Sequence, residues 1–269
     1  TAVGSTSFNA GTTAIDCTAV GFNALGANQT GAGAVAIGKD ALAASTAAGN
    51  TAVGTGALDA NVAGVRNVAV GLDAGGAAAG ANDNDNTFIG HNAGLLANGS
   101  ASGSNTAVGS LALDAAVTSI DATAIGKGAL SASTANGNTA VGARALDVNI
   151  AGTRNVAVGV DAGGAQAGAT DNDNTFVGDT AGLLANGSAS GGNVAVGSAS
   201  LSAAVTSVDC TAVGFNALKA NTANANTAVG KGSLDVNIAG VRNTAVGVDT
   251  GGAQAGATDN DNTFVGFNA

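Results

Sequence analysis

Asn138-Thr139-Ala140-Val141-Gly142-Ala143-Arg144-Ala145-Leu146 decides the fold of this chain, because its phrase Thr139-Ala140-Val141-Gly142 is one of sixteen copies of Thr/Val-Ala/Phe-Val/Ile-Gly. The closing glycines fall at 4, 21, 38, 54, 71, 90, 109, 126, 142, 159, 178, 197, 214, 230, 247 and 266, always 16, 17 or 19 residues apart. A unit that short cannot bury its own apolar face, so each copy must stack on the next. The period predicts an all-β chain, a parallel β-solenoid of about 15 stacked coils and roughly 70 Å long at ~4.8 Å per strand.

A longer period lies over the first. From Gly38 the spacings run 16, 17, 19, 19, 17 and repeat, a five-coil cassette of 88 residues. Asp-Asn-Asp-Asn-Thr-Phe accordingly begins at 83, 171 and 259. The organisation expected is one repetitive shaft over 1–269, with super-repeats at about 38–125, 126–213 and an incomplete 214–269. A chain that opens without Met and starts and stops inside coils reads as an excerpt of something longer.

Alternation along a strand places Asn138, Ala140 and Gly142 on one face and Thr139 and Val141 on the other. Val or Ile precedes every one of the sixteen glycines and forms the main hydrophobic rib. Ala145-Leu146, matched by Ala41-Leu42, Ala57-Leu58 and Ala129-Leu130, is expected to begin a second strand or extended segment.

The residue before the phrase is Asn at 50, 67, 86, 105, 138, 155, 174, 193, 226, 243 and 262, and a small residue at Cys17, Ala34, Ala122 and Cys210. An amide both donates and accepts, so stacked Asn residues are expected to form a structural ladder along the axis. Phe88, Phe176 and Phe264 replace the central Ala once per cassette, which makes them packing anchors beside the 19-residue coils.

Ala and Val carry the 45% hydrophobic content, with 7 Phe and no Trp, Tyr, Met or Pro. The acidic residues are 18 Asp and no Glu, against four Lys and four Arg, for a net charge of −10. That balance argues against nucleic acid and anionic membrane as partners, since phosphate binding needs a basic stripe. No stretch is long and apolar enough to insert in a membrane. Cys17 and Cys210 stand eleven coils apart at the same phase, roughly 50 Å in a regular solenoid and beyond disulfide reach.

Chemistry is sparse. His91 is matched by Asp179 and Phe267 in the sister cassettes, and no nucleophile elbow or phosphate loop is present, so the chain reads as no enzyme. One constellation offers hard oxygen ligands: Asp83 and Asp85, Asp171 and Asp173, Asp259 and Asp261, a speculative Ca²⁺ loop that matches neither the EF-hand nor the calcium-roll pattern. Arg66, Arg154 and Arg242 recur once per cassette and are expected to pair with an Asp of an adjacent coil or chain.

Stretches such as Asn50-Thr51-Ala52-Val53-Gly54-Thr55-Gly56-Ala57-Leu58 resemble the head repeats of YadA-type trimeric adhesins, and more closely the Asn-Thr-Ala-Val-Gly-x-x-Ala-Leu arrays of phage tail fibres. The likeness covers nearly the whole chain. It implies a left-handed parallel β-roll, three chains about one axis, and a shaft or receptor-binding part of a viral tail fibre on the virion surface. The alternative it leaves is a bacterial surface adhesin or extracellular filament, with a host-cell surface receptor or glycan as partner. Trimerisation also follows from the small apolar area one coil encloses while Val, Leu and Ile recur on more than one face. An ice-binding solenoid using the Thr column is a third reading, weakened by four Val interruptions among sixteen positions.

Overall fold

The computed structural model describes residues 1–10, 13–28, 30–77, 84–96, 103–115, 117–165, 172–185, 191–204, 206–237, 239–254 and 260–269. They fall into two compact units, Thr1–Gly137 and Asn138–Ala269, the boundary lying inside the second super-repeat. Each unit is all-β and a parallel β-solenoid.

In unit 1 the recurring phrase forms β1 (Ala2–Val3), β2 (Thr18–Val20), β3 (Val35–Ile37), β4 (Thr51–Val53), β5 (Val68–Val70), β6 (Thr87–Ile89), β7 (Thr106–Val108) and β8 (Thr123–Ile125). In unit 2 it forms β9 (Thr139–Val141), β10 (Val156–Val158), β11 (Thr175–Val177), β12 (Val194–Val196), β13 (Thr211–Val213), β14 (Thr227–Val229), β16 (Thr244–Val246) and β18 (Thr263–Val265). Within each unit consecutive copies pair in parallel and in register, phrase upon phrase, as in Val68↔Thr87, Ala69↔Phe88 and Val70↔Ile89. A second small sheet pairs β15 (Val236–Asn237) with β17 (Ala253–Gln254).

The glycines that end the phrases all have positive φ, and where another coil stacks on them, as at Gly71, no side chain fits. Gly71 has φ +143°, and a Cβ there would come within 2.7 Å of the Gly90 carbonyl carbon. Stacked coils approach backbone to backbone at this corner, which is why the position never varies.

Each strand from β2 to β14, and β16, buries its middle residue and turns its flanks outward. Ala52, Ala69, Phe88, Ala140, Ala157 and Phe176 are fully buried, while the flanking Thr side chains are mostly half-buried. The Val/Ile rib therefore lies outside, at 41% exposure for Ile37, 38% for Val70 and Val158, and 36% for Val196.

The second strand expected at Ala-Leu is not there. Ala57-Leu58 sits in successive turns, closed by Ala57 N–H to Gly54 O (3.4 Å) and Asp59 N–H to Gly56 O (3.3 Å). Gly56 and Leu58 take φ of +66° and +50°, the positive value a type II turn requires at its third residue. The intervening N–H groups bond between coils, Gly56 to Lys39 O (2.9 Å) and Leu58 to Ala74 O (3.0 Å). The chain thus bends sharply without losing its axial hydrogen bonds. A left-handed Leu costs roughly 1–2 kcal/mol, and complete burial of its side chain contributes roughly 1.5–3 kcal/mol, so burial wins. Leu25, Leu42, Leu113, Leu130, Leu146, Leu201, Leu218 and Leu234 repeat the arrangement, all buried and all at positive φ.

Candidate functional site

Two columns of buried amides run through the interior. In unit 1 the Asn67 N–H donates to Asn50 Oδ1 (2.8 Å), the Asn86 N–H to Asn67 Oδ1 (2.9 Å), the Asn105 N–H to Asn86 Oδ1 (2.9 Å) and the Ala122 N–H to Asn105 Oδ1 (3.0 Å). In unit 2 the same bond joins Asn155 to Asn138, Asn174 to Asn155, Asn193 to Asn174, Cys210 to Asn193, Asn243 to Asn226 and Asn262 to Asn243. Each side-chain oxygen satisfies the backbone donor at the strand entry of the adjacent coil. The amide nitrogens stay inside too: Asn50 Nδ2 donates to Gly64 O (2.7 Å) and Asn86 Nδ2 to Asn67 Oδ1 (3.1 Å). These amides are spent on the backbone and on one another.

The second column, Asn28, Asn61, Asn149, Asn221 and Asn237, was missed in the sequence, although most of it carries a readable signal, Asn-x-x-Gly. Asn61 Oδ1 accepts from the Gly64 N–H (2.9 Å), and Asn149 and Asn237 close the same turn on Gly152 and Gly240. Both cysteines are buried and free. Cys210 Sγ receives Asn221 Nδ2 at 3.3 Å and donates to Ala223 O at 3.3 Å, and burial pushes its thiol up from the usual range. A buried, protonated thiol is inert as a nucleophile.

Phe88 and Phe176 are fully buried, and Phe264, in the last coil, is half-buried. Room for the rings comes from glycines in the Leu column. A Cβ on Gly75 would lie 2.7 Å from Phe88 Cδ2, and one on Gly94 would land on the same ring from its other edge. Gly163 and Gly182 do this for Phe176, and Gly251 for Phe264.

The acidic loops divide. Asp83, Asp171 and Asp259 lie outside the described residues. Asp85, Asp173 and Asp261 are each gripped by an arginine of the neighbouring coil: Arg66 Nε to Asp85 Oδ1 (2.5 Å) and Nη2 to Oδ2 (2.7 Å), with the same fork at Arg154–Asp173 and Arg242–Asp261. The guanidinium holds each of these carboxyls below the usual range. A second fork joins Arg144 to Asp161. Among the described residues no group of three or more His, Cys or Asp side chains is assembled to hold a metal. Asp59, Asp114 and Asp147 lie partly under neighbouring turns, and burial raises their carboxyls. His91 is exposed.

In each unit the described strands therefore present an uncharged rib outward. The flanking positions of the recurring phrase hold only Thr or Val and Val or Ile, and it carries no charge. No helix among the described residues is long and apolar enough to cross a membrane. These features define a β-solenoid repeat protein. Compared with protein-family models, curated proteins and solved structures, the chain matches none.

Proposed function

We propose that the chain is a non-enzymatic structural fibre segment, the shaft or receptor-binding part of a viral tail fibre, working outside the cell as a homotrimer. The observation that carries this reading is the outward Val/Ile rib, exposed or half-buried in coil after coil and free of charge. Soluble proteins rarely leave a continuous apolar stripe in water. Burying it against further copies removes the stripe and stiffens the rod in one step. The Asn ladder of the interior supports a mechanical role, since its side-chain oxygens are used up in hydrogen bonds between coils.

The test is the mass of the purified chain in solution by analytical ultracentrifugation. A species near three times 24.7 kDa is the expected result, and a stable monomer overturns the reading. A bacterial surface adhesin would give the same mass, and immunolabelling of virions against cell envelopes separates the two. One observation favours a different use, because the twelve Thr residues of the outer column share the face with the rib. Thermal hysteresis of a monomeric sample would move the assignment to ice binding.

A further inference from the structure

A uniform rib has a defect as an assembly surface, because it lets a partner slide by any whole number of coils at little cost. Register requires a feature that differs between coils. The described strands hold one. At Val68-Ala69-Val70-Gly71-Leu72 and at Val156-Ala157-Val158-Gly159-Val160 the two outer residues of the strand and the turn residue after its closing glycine are all large, apolar and exposed. Their exposures are 36%, 38% and 47% in the first rung and 37%, 38% and 43% in the second. In the neighbouring coils of unit 1 the same positions read Thr51, Val53 and Thr55 on one side and Thr87, Ile89 and His91 on the other. In unit 2 the coils after the second rung place Asp179, Ser198 or Lys231 at the third position, or Thr at the first.

The rungs are tied to the next coil at two points, as is the Thr244 coil through Arg242–Asp261 and Ala245↔Phe264. Each follows an arginine that forks onto the next coil, Arg66 to Asp85 and Arg154 to Asp173. Each pairs its central Ala with a buried ring, Ala69 with Phe88 and Ala157 with Phe176.

We propose that Val68, Val70 and Leu72, and their counterparts Val156, Val158 and Val160, set the axial register between copies of this chain by docking on the same rungs of a neighbouring copy. The proposal rests on the self-assembly just argued. The occupant is a second copy for two reasons. A face ribbed at every coil along its length is matched in period by a solenoid of the same coil spacing. Two chains of net charge −10 repel wherever their turns meet, which leaves the uncharged rib as the approach. A slip of one coil sets Leu72 against Thr55 or His91 and Val68 against Thr51 or Thr87, burying hydroxyls or an imidazole against apolar groups.

The test uses the full chain with Cys17→Ala and Cys210→Ala, carrying either Val70→Cys or Ile89→Cys. The two proteins are unfolded together, refolded and oxidised, and their disulfide-linked products are separated, with the mass measured before oxidation. Linkage of like to like, with little Val70→Cys to Ile89→Cys product, is expected. Val68→Thr, Leu72→Thr, Val156→Thr and Val160→Thr together make the rungs resemble their neighbours and should raise the mixed product several-fold at unchanged mass. A control with Val35→Thr and Val194→Thr, outside the rungs, should leave it low. An assembled rung variant whose mixed product stays low, or a control that scrambles equally, overturns the register assignment and leaves the fibre reading standing. A monomeric mass in the starting protein overturns the fibre reading itself.

Discussion

The coil that ends in β5 and the coil that ends in β6 lie side by side in one sheet and fill the same interior by different means. The first sets Ala69 on the strand and Leu58 in the turn column, whereas the second sets Phe88 on the strand and Gly75 in the turn column, with Gly94 beyond it. A ring is added on one side of the core and two isobutyl groups are removed from the other. The interior volume is therefore specified by pairs of columns, and no single column can be read alone. Cores this close-packed tolerate exchanges that conserve volume far better than those that do not.

The largest expected effect breaks that balance. Gly94→Leu drives a side chain into the Phe88 ring at a φ of +62°, and the overpacking alone costs about 1–3 kcal/mol. Phe88→Ala leaves a cavity costing about 3–5 kcal/mol. Gly75→Leu, Gly94→Leu and Phe88→Ala combined rebuild the β5 kind of interior and should recover most of the loss in thermal unfolding. Failure of the triple variant to exceed the single ones would sink the paired-column account.

A smaller loss is expected from Asn86→Ala, which leaves the Asn105 N–H without its acceptor and removes a donor to Asn67 Oδ1, at about 1–3 kcal/mol. Denaturant titration checks it. The expected lesson is that the ladder matters as much in the Phe-bearing coil as elsewhere.

Two electrostatic predictions sharpen the contrast at the surface. Arg66→Gln, which unclips the β5 coil from the β6 coil, should have the smallest effect on stability of these variants, an effect that fades in high salt. Asp85 has its folded pKa lowered by Arg66, so its contribution is present above the unfolded value and is lost as pH falls through the folded one. In acid, Arg66→Gln should thus unfold together with the parent. Asp147 runs the other way: burial, with Asp161 adding, raises its folded pKa. The ionised form opposes folding, and stability is lost as pH rises through the folded value. Asp147→Asn should therefore stabilise the neutral protein by about 0.5 kcal/mol or less, with the gain vanishing in acid. Melting curves at two pH values test both signs.

The period, the register and the alternation of β2–β14 were legible because the phrase repeats at a fixed phase, and in-register stacking then needs no long-range information. The position of Asn in front of the phrase was equally plain. The second amide column was not, since Asn61 and Asn149 stand between turns of varying length and only Asn-x-x-Gly marks them. The Arg66–Asp85 fork was readable as a type of pairing, but which aspartate of the loop would be taken was not.

Composition and spacing by themselves determined the acidic charge balance, a parallel solenoid and its five-coil cassette, because these can be read from the residues and their order alone. Only the tertiary structure decided that Ala-Leu turns instead of extending, with Leu58 left-handed and buried, because that depends on whether burial outweighs backbone strain. It alone turned Ala inward and the Val/Ile rib outward, since alternation says which residues share a face and leaves open which face the stacked coils enclose.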